Sequence, residues 1–222
     1  MINLSAWQFR RLDERRTFNA AVLERTDIDA VDVITFDTSP EVDVSSIEWR
    51  RAGARGIYLA DEQVVLLNRS QGGVAGVDVV TPLELDNGSV IIVNRGFIPL
   101  DSPVPDPPAG RTQVVGTVRA FEKARAGEAG DPAGERTEFF RLDYSRMDDQ
   151  IDQPILGFVL DMTASEPADD PSLTPVAAPS LSEGPHLSYA IQWIIFSAAV
   201  MVGWALAVRR SVITRDRDRP SA

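Results

Sequence analysis

The chain has 222 residues, 44% of them hydrophobic, with a single histidine and no cysteine. That length and apolar content fit one domain able to bury a core, with room for a further element. The formal charge of -11 argues against nucleic acid, whose phosphates are met by Lys and Arg, and the absence of thiols excludes disulfides, thiolate metal sites and covalently attached c-type haem.

Residues 1–29 predict an N-terminal helix over 5–25. Ser5 is placed to cap it, and Phe18, Ala21 and Val22 fall at helical spacing on one face. Glu14 and Phe18 lie on one face with Arg10 and Arg11, which permits ion pairs three or four residues apart and gives a charged helix suited to a membrane surface with Trp7 at headgroup level. From Ala30 the period changes to two, and residues 30–163 read as a β domain. The expected strands are a weak one at 31–36, then 55–59 and 64–69 around the acidic turn at Asp61 and Glu62. The strongest pair is 77–85 and 90–97, which flank Asp86, Asn87 and Gly88, because Asn-Gly between apolar runs favours a tight hairpin. Val90, Ile91, Ile92 and Val93 form an unbroken apolar run, which predicts burial on both faces.

The prolines of 103–108 predict a surface connection, followed by a strand at 114–121, a loop at 122–138, and strands at 139–144 and 155–160. The acidic run 148–152 between the last two reads as a solvated turn, since hard-cation loops need more oxygen ligands at regular spacing. Together these elements predict a mainly β fold, a small antiparallel barrel or sandwich. Residues 164–185, rich in Pro, Ala and acids, read as a linker.

Residues 187–208 carry no charge, and at helical rise such a run covers about 33 Å, enough for a hydrocarbon core of roughly 30 Å. The stretch 186–208 is therefore expected to be a transmembrane helix, with Tyr189, Trp193 and Trp204 near its ends as an aromatic belt. Arg209, Arg210, Arg215, Arg217 and Arg219 follow in the basic tail 209–222, which predicts a cytoplasmic C-terminus and an extracytoplasmic β domain. The host membrane would be a bacterial plasma membrane or a mitochondrial inner membrane. Four arginines at 10, 11, 15 and 16 would resist passage of a free N-terminus, so a first span upstream of Met1 is expected.

Three segments go beyond generic pattern. They are Ala6-Trp7-Gln8 followed by Arg10 or Arg11, then Val80-Thr81-Pro82-Leu83 leading through Asp86-Asn87-Gly88 to Val93-Asn94-Arg95-Gly96-Phe97-Ile98-Pro99, and lastly His186-Leu187-Ser188-Tyr189-Ala190-Ile191-Gln192-Trp193. In order, spacing and position they resemble the surfeit-locus family of cytochrome c oxidase assembly factors, over nearly the whole chain. The resemblance implies two spans around a large extracytoplasmic domain, and a role in supplying haem a to subunit one of the oxidase, with other oxidase subunits as further partners. It also implies that the first span, which would precede the Trp-Gln helix, is missing from this sequence.

His186 is the one side chain whose neutral nitrogen suits haem iron, with Met162 and Met201 poorer candidates. The resemblance points to the matching histidine as a haem ligand; the plainer role is a helix cap at the headgroups. Arg95 could clamp a haem propionate or close a salt bridge with an acid. Tyr189 and Trp193 share a helix face with His186, and Gln192 could hydrogen-bond across a helix pair. Trp7 and Gln8 are the residues expected opposite them. Gly203, with Ala199 and Ala207, offers a small-residue face for close helix packing. No nucleophile or phosphate motif occurs, so an enzyme is not expected. The alternative to haem delivery is a haem-independent chaperone or structural subunit that holds oxidase subunits during assembly or within a respiratory supercomplex.

Overall fold

The computed structural model describes residues 2–123 and 136–217, with side chains described as far as Arg210. Most of the loop expected at 122–138, and Arg219 of the tail, lie outside the described residues. The chain divides into two units, residues 22–179 and residues 1–21 with 180–222.

The larger unit is a mixed β sheet of eight strands. They are β1 (Val31–Asp32), β2 (Arg51–Tyr58), β3 (Val64–Gln71), β4 (Val74–Leu85), β5 (Val90–Pro99), β6 (Arg111–Arg119), β7 (Glu138–Phe139) and β8 (Ile155–Glu166). Their order is β1-β2-β6-β8-β5-β4-β3-β7, with β2 also touching β4. The expected antiparallel barrel is corrected in one respect: β1–β2, β3–β7 and β5–β8 run parallel. The reason is topological, since β8 returns beside β5 only after β6, β7 and a short helix, and so long a connection permits parallel pairing. The extra β2–β4 contact spans only Gly56, Ile57 and Tyr58, so it leaves a mixed sheet rather than a clear barrel. Gly56 is required there, because a Cβ would stand 2.0 Å from the Glu84 carbonyl oxygen.

The hairpin of β4 and β5 forms where Asn-Gly predicted it. Gly88 alone takes a positive φ, 82°, while Asn87 accepts from the Ser89 amide through its side chain. The apolar run of β5 is buried on both faces, as expected from its pattern. Ile91 and Val93 join Leu83, Val118, Phe158 and Leu160 in one core. Val90 and Ile92 join Leu66, Val80, Phe139 and Val159 in another, on the opposite face.

Two expected strands are cut short. Only Val31 and Asp32 of 31–36 pair, because the Asp32 carboxylate accepts the Ile34 amide and starts a 3-10 turn. The expected strand at 139–144 shrinks to β7, and helix α2 (Tyr144–Gln150) follows, capped by Asp143, which accepts from Ser145. The run read as an acidic turn at 148–152 is thus partly helical, and Met147 and Ile151 bury its inner face. Within the segment read as a linker, Leu173 is buried and Thr174 bridges to Phe97 of β5.

Helix α1 (Ile2–Thr26) contains neither Gly nor Pro and begins earlier than its expected cap. Ser5 therefore lies inside the helix, and its hydroxyl donates to the Ala190 carbonyl (3.1 Å) instead of capping. In the smaller unit, α1 residues up to Ala21 run alongside residues 180–190 in opposite direction. Asn19 donates to the Leu181 carbonyl (2.6 Å), Arg16 pairs with Glu183 (2.9 Å), and Arg15 donates to the Ser180 carbonyl (2.7 Å). Helix α3 (His186–Arg217) follows, and within its portion His186–Arg210 the apolar window has mean hydropathy 2.0 and none of it is buried. It is long and apolar enough to cross a membrane.

Candidate functional site

In the β4–β5 ladder Val79 pairs with Gly96 and Val80 with Asn94, so Arg95 is the extra residue of a β-bulge. A bulge re-aims a side chain, and here it turns a guanidinium into the interior. The Arg95 side chain is fully buried, and all five of its N–H donors are used. Nε and Nη2 make a forked contact with Asp169 (2.9 and 2.5 Å), Nη1 donates to Gln63 Oε1 (2.6 Å) and the Pro105 carbonyl (2.9 Å), and Nη2 also donates to the Asp106 carbonyl (2.9 Å). Thr81 Oγ1 completes Gln63 at 2.9 Å, and the guanidinium stands 5.8 Å from the Tyr58 ring centroid. Burial pushes the Tyr58 phenol well above its ordinary value.

The neighbours in the Asn-Arg-Gly motif serve the same bulge. Asn94 Oδ1 accepts the Gly96 amide (3.2 Å). Gly96 has φ of 138°, and a Cβ there would lie 2.6 Å from the Thr174 carbonyl. The propionate role for Arg95 is thereby corrected: its donors are saturated by its own chain, so none remains for a ligand. Of the two roles, the salt bridge is the one the geometry shows.

Beside Asn94 runs a polar row across the sheet. Arg69 of β3 meets Asp78 of β4 (3.4 Å) and Glu122 (2.7 Å). The Asn94 side chain of β5 stands between Asp78 and Asp161 of β8 and acts to lower both carboxyls, and Arg119 of β6 lies 3.7 Å from Asp161. Arg119 also meets Glu48 (3.3 Å) and lies 3.7 Å from the Trp49 ring centroid. Burial pushes the Asp161 carboxyl up to about 6, with Asp78 adding to the rise and Arg119 opposing it. Asp78 is raised for the same first reason.

The smaller unit holds the other predicted residues. His186 opens α3, and its Nδ1 stands 2.8 Å from Gln8 Oε1 of α1. Gly184, with φ of 68°, borders the same ring, and a Cβ on it would stand 3.4 Å from His186 Cδ2 and 3.5 Å from Nε2. The structure thus brings His186 together with Gln8. Tyr189 is exposed, Trp193 is half-buried and packs edge-on to Phe196 at 6.1 Å, and Gln192 is exposed. Trp7 is exposed under the Arg11 guanidinium, 5.8 Å from the ring centroid. The space beside Gly203 is open, with no heavy atom within 4 Å of where its Cβ would be. A hollow of about 490 Å³ lined by Val31, Ile34, Arg55, Leu85 and Gln113 includes none of these residues. Among the described residues no three His, Cys, Asp or Glu side chains group to hold a metal ion.

Sequence reasoning missed Gln63, Thr81 and Asp169 around Arg95, and the row from Arg69 to Arg119. Only the unusual Asn-Arg-Gly triplet hinted at the bulge. Asp169 and the Pro105 and Asp106 carbonyls that complete it come from loops whose composition reads as solvent-facing.

Fold and site together define a mixed-β domain continued by a helix pair whose second member is long and apolar enough to span a bilayer. The profile of the SURF1 family matches residues 1–198, and the chain belongs to that family. It is 24% identical over 221 residues to an uncharacterized SURF1-like protein of Mycobacterium bovis, covering 97% of this chain and 80% of the relative. It is 28% identical over 225 residues to a SURF1-like protein of Monosiga brevicollis, covering 93% and 83%. Surfeit locus protein 1 of Takifugu rubripes is 28% identical over 141 residues, covering 54% and 57%.

Proposed function

We propose that this chain is a membrane-anchored assembly factor for haem-copper cytochrome c oxidase, which holds haem a briefly and passes it to subunit one. The observation that carries this reading is His186. It stands at the mouth of the apolar helix, its Nδ1 faces Gln8, and its Nε2 borders a residue without a side chain. An imidazole fixed through one nitrogen and bare at the other is the donor a haem iron needs, so the residues present fit the group. Haem is the cargo. Tyr189 and Trp193, on the same side of α3, would border the macrocycle.

In this reading α3 crosses the bilayer with Arg209 and Arg210 in the cytoplasm, by the excess of positive charge that follows the span. The β domain and His186 then lie outside, in keeping with the acidic surface. The full chain in detergent, titrated with haem and followed by its Soret band, tests the proposal. Loss of the His-type spectrum in His186→Ala supports it; an unchanged spectrum and affinity overturns it. Removing the gene from its host is expected to lower haem a-dependent oxidase activity while leaving the oxidase polypeptides present.

A second reading is a haem-independent protein that holds oxidase subunits. The saturation of Arg95 favours it, since the strongest candidate for a propionate contact is occupied internally. Co-purification with subunit one from a strain lacking haem a separates the two.

A further inference from the structure

We infer that Gln8 is a positioning residue, which sets the tautomer of His186 so that Nε2 is the nitrogen left bare; the inference rests on the reading of His186 given above. Which nitrogen of a neutral imidazole carries the proton is decided by the partner of the other. The partner of Nδ1 is the Gln8 carbonyl oxygen at 2.8 Å, an acceptor, and two acceptors cannot share a hydrogen bond. With the amide oxygen turned to the ring, Nδ1 is the N–H and Nε2 keeps its lone pair.

Gln8 is held in place for this task. One turn before it on α1, Ser5 Oγ is tied to the Ala190 carbonyl (3.1 Å), one turn past His186 on α3. Further along the same face, Arg15 and Asn19 bind the carbonyls of Ser180, Ser182 and Leu181. The amide thus meets the imidazole between two fixed points. On the other side of the ring Gly184 contributes no Cβ, and its φ of 68° disfavours any residue that would supply one. Gln8 meets one nitrogen, and among the described residues no hydrogen-bond partner stands at the other. A partner of this kind behind a ligating histidine characteristically changes metal affinity by about 10–100-fold when removed.

His186 is the only histidine in the chain, so nitrogen-15 histidine labelling of the full protein in lipid nanodiscs gives one pair of ring signals. The wild type is expected to show the Nδ1–H form without any haem present. Gln8→Leu removes the acceptor, and the proton should redistribute toward Nε2. Gln8→Asn, which keeps an amide but shortens its reach, should do the same and guards against a folding failure of the first variant. An Nε2–H signal in the wild type, or an unchanged Nδ1–H signal in both variants, overturns the inference. In ferric haem titrations Gln8→Leu should weaken His186-dependent binding by about 10–100-fold; equal binding, where His186→Ala abolishes it, overturns the positioning role. If the tautomer shifts as expected but His186→Ala binds haem like wild type, the proposed function falls and the assignment of Gln8 stands.

Discussion

Arg95→Met is the sharpest test of what the Asn-Arg-Gly bulge is for. The substitution keeps volume and removes a guanidinium that is wholly buried, facing an Asp169 side chain with 7% exposure. Left behind are the Asp169 carboxylate, Gln63 Oε1 and the carbonyls of Pro105 and Asp106. Asp169 retains the Asp170 amide (2.7 Å) and Gln63 retains Thr81, so the loss is partial. Breaking a buried pair from one side costs about 3–5 kcal/mol, and we expect about 4. A domain of this size has roughly 5–15 kcal/mol in all, so the variant should sit near the edge of folding. Asp169→Asn removes the charge but keeps an acceptor, and should cost about 2 kcal/mol. The double variant, Arg95→Met with Asp169→Asn, should cost less than the two single effects together, because neither partner is then left charged and alone. Urea unfolding of the full chain in detergent, followed by far-ultraviolet circular dichroism, measures all three. If Arg95→Met unfolds within about 0.5 kcal/mol of wild type, a difference typical of a surface change, and yet loses haem binding, the guanidinium serves a ligand and the structural argument is refuted.

Asp161→Asn tests the polar row. Because the folded protein holds the Asp161 proton up to about 6 against an ordinary 3.8, the native state gains stability as pH falls through that window and loses it as pH rises. The gap corresponds to ~3 kcal/mol at about 1.4 kcal/mol per pH unit. The variant should therefore be more stable than wild type at pH 7.5 by up to that amount and equal to it near pH 3.5; a constant difference across the range would refute the burial of this carboxyl. Gly96→Ala forces a Cβ to within 2.6 Å of the Thr174 carbonyl at a φ of 138°, and should lower stability by about 1–3 kcal/mol, read by thermal unfolding. Ile92→Ala, at a position with no exposure, should cost about 2–5 kcal/mol in the same assay. On sealed vesicles with the native orientation, protease added outside should digest the β domain and spare the arginine tail; digestion of both together would refute the proposed topology.

The elements most legible in sequence were those whose signal is local. The β4–β5 hairpin follows from Asn87 and Gly88 between apolar runs, and the burial of Val90 to Val93 on two faces follows from an apolar stretch with no polar alternation. The apolar helix follows from length and the absence of charge. The two failures, at 31–36 and 139–144, share a cause: Asp32 and Asp143 each accept a backbone amide two residues on, and such capping overrides a weak strand pattern. That Gln8 is the residue of α1 that meets His186 was not legible, because helical spacing alone does not say which residues of two helices face each other. The surroundings of Arg95 were not, because Gln63, Pro105, Asp106 and Asp169 are scattered through three loops.

The sequence by itself determined that a strand-rich acidic body is followed by one long uncharged helix with arginines after it, because periodicity, turn chemistry and hydropathy act over a few residues at a time. Only the tertiary structure decided that the sheet is mixed, that Arg95 is a buried internal clamp, and that a glutamine from the first helix meets the one imidazole. Those outcomes depend on which distant segments come to share a surface, and the free energy of burying a charge or orienting a ring is set by neighbours that lie far away along the chain.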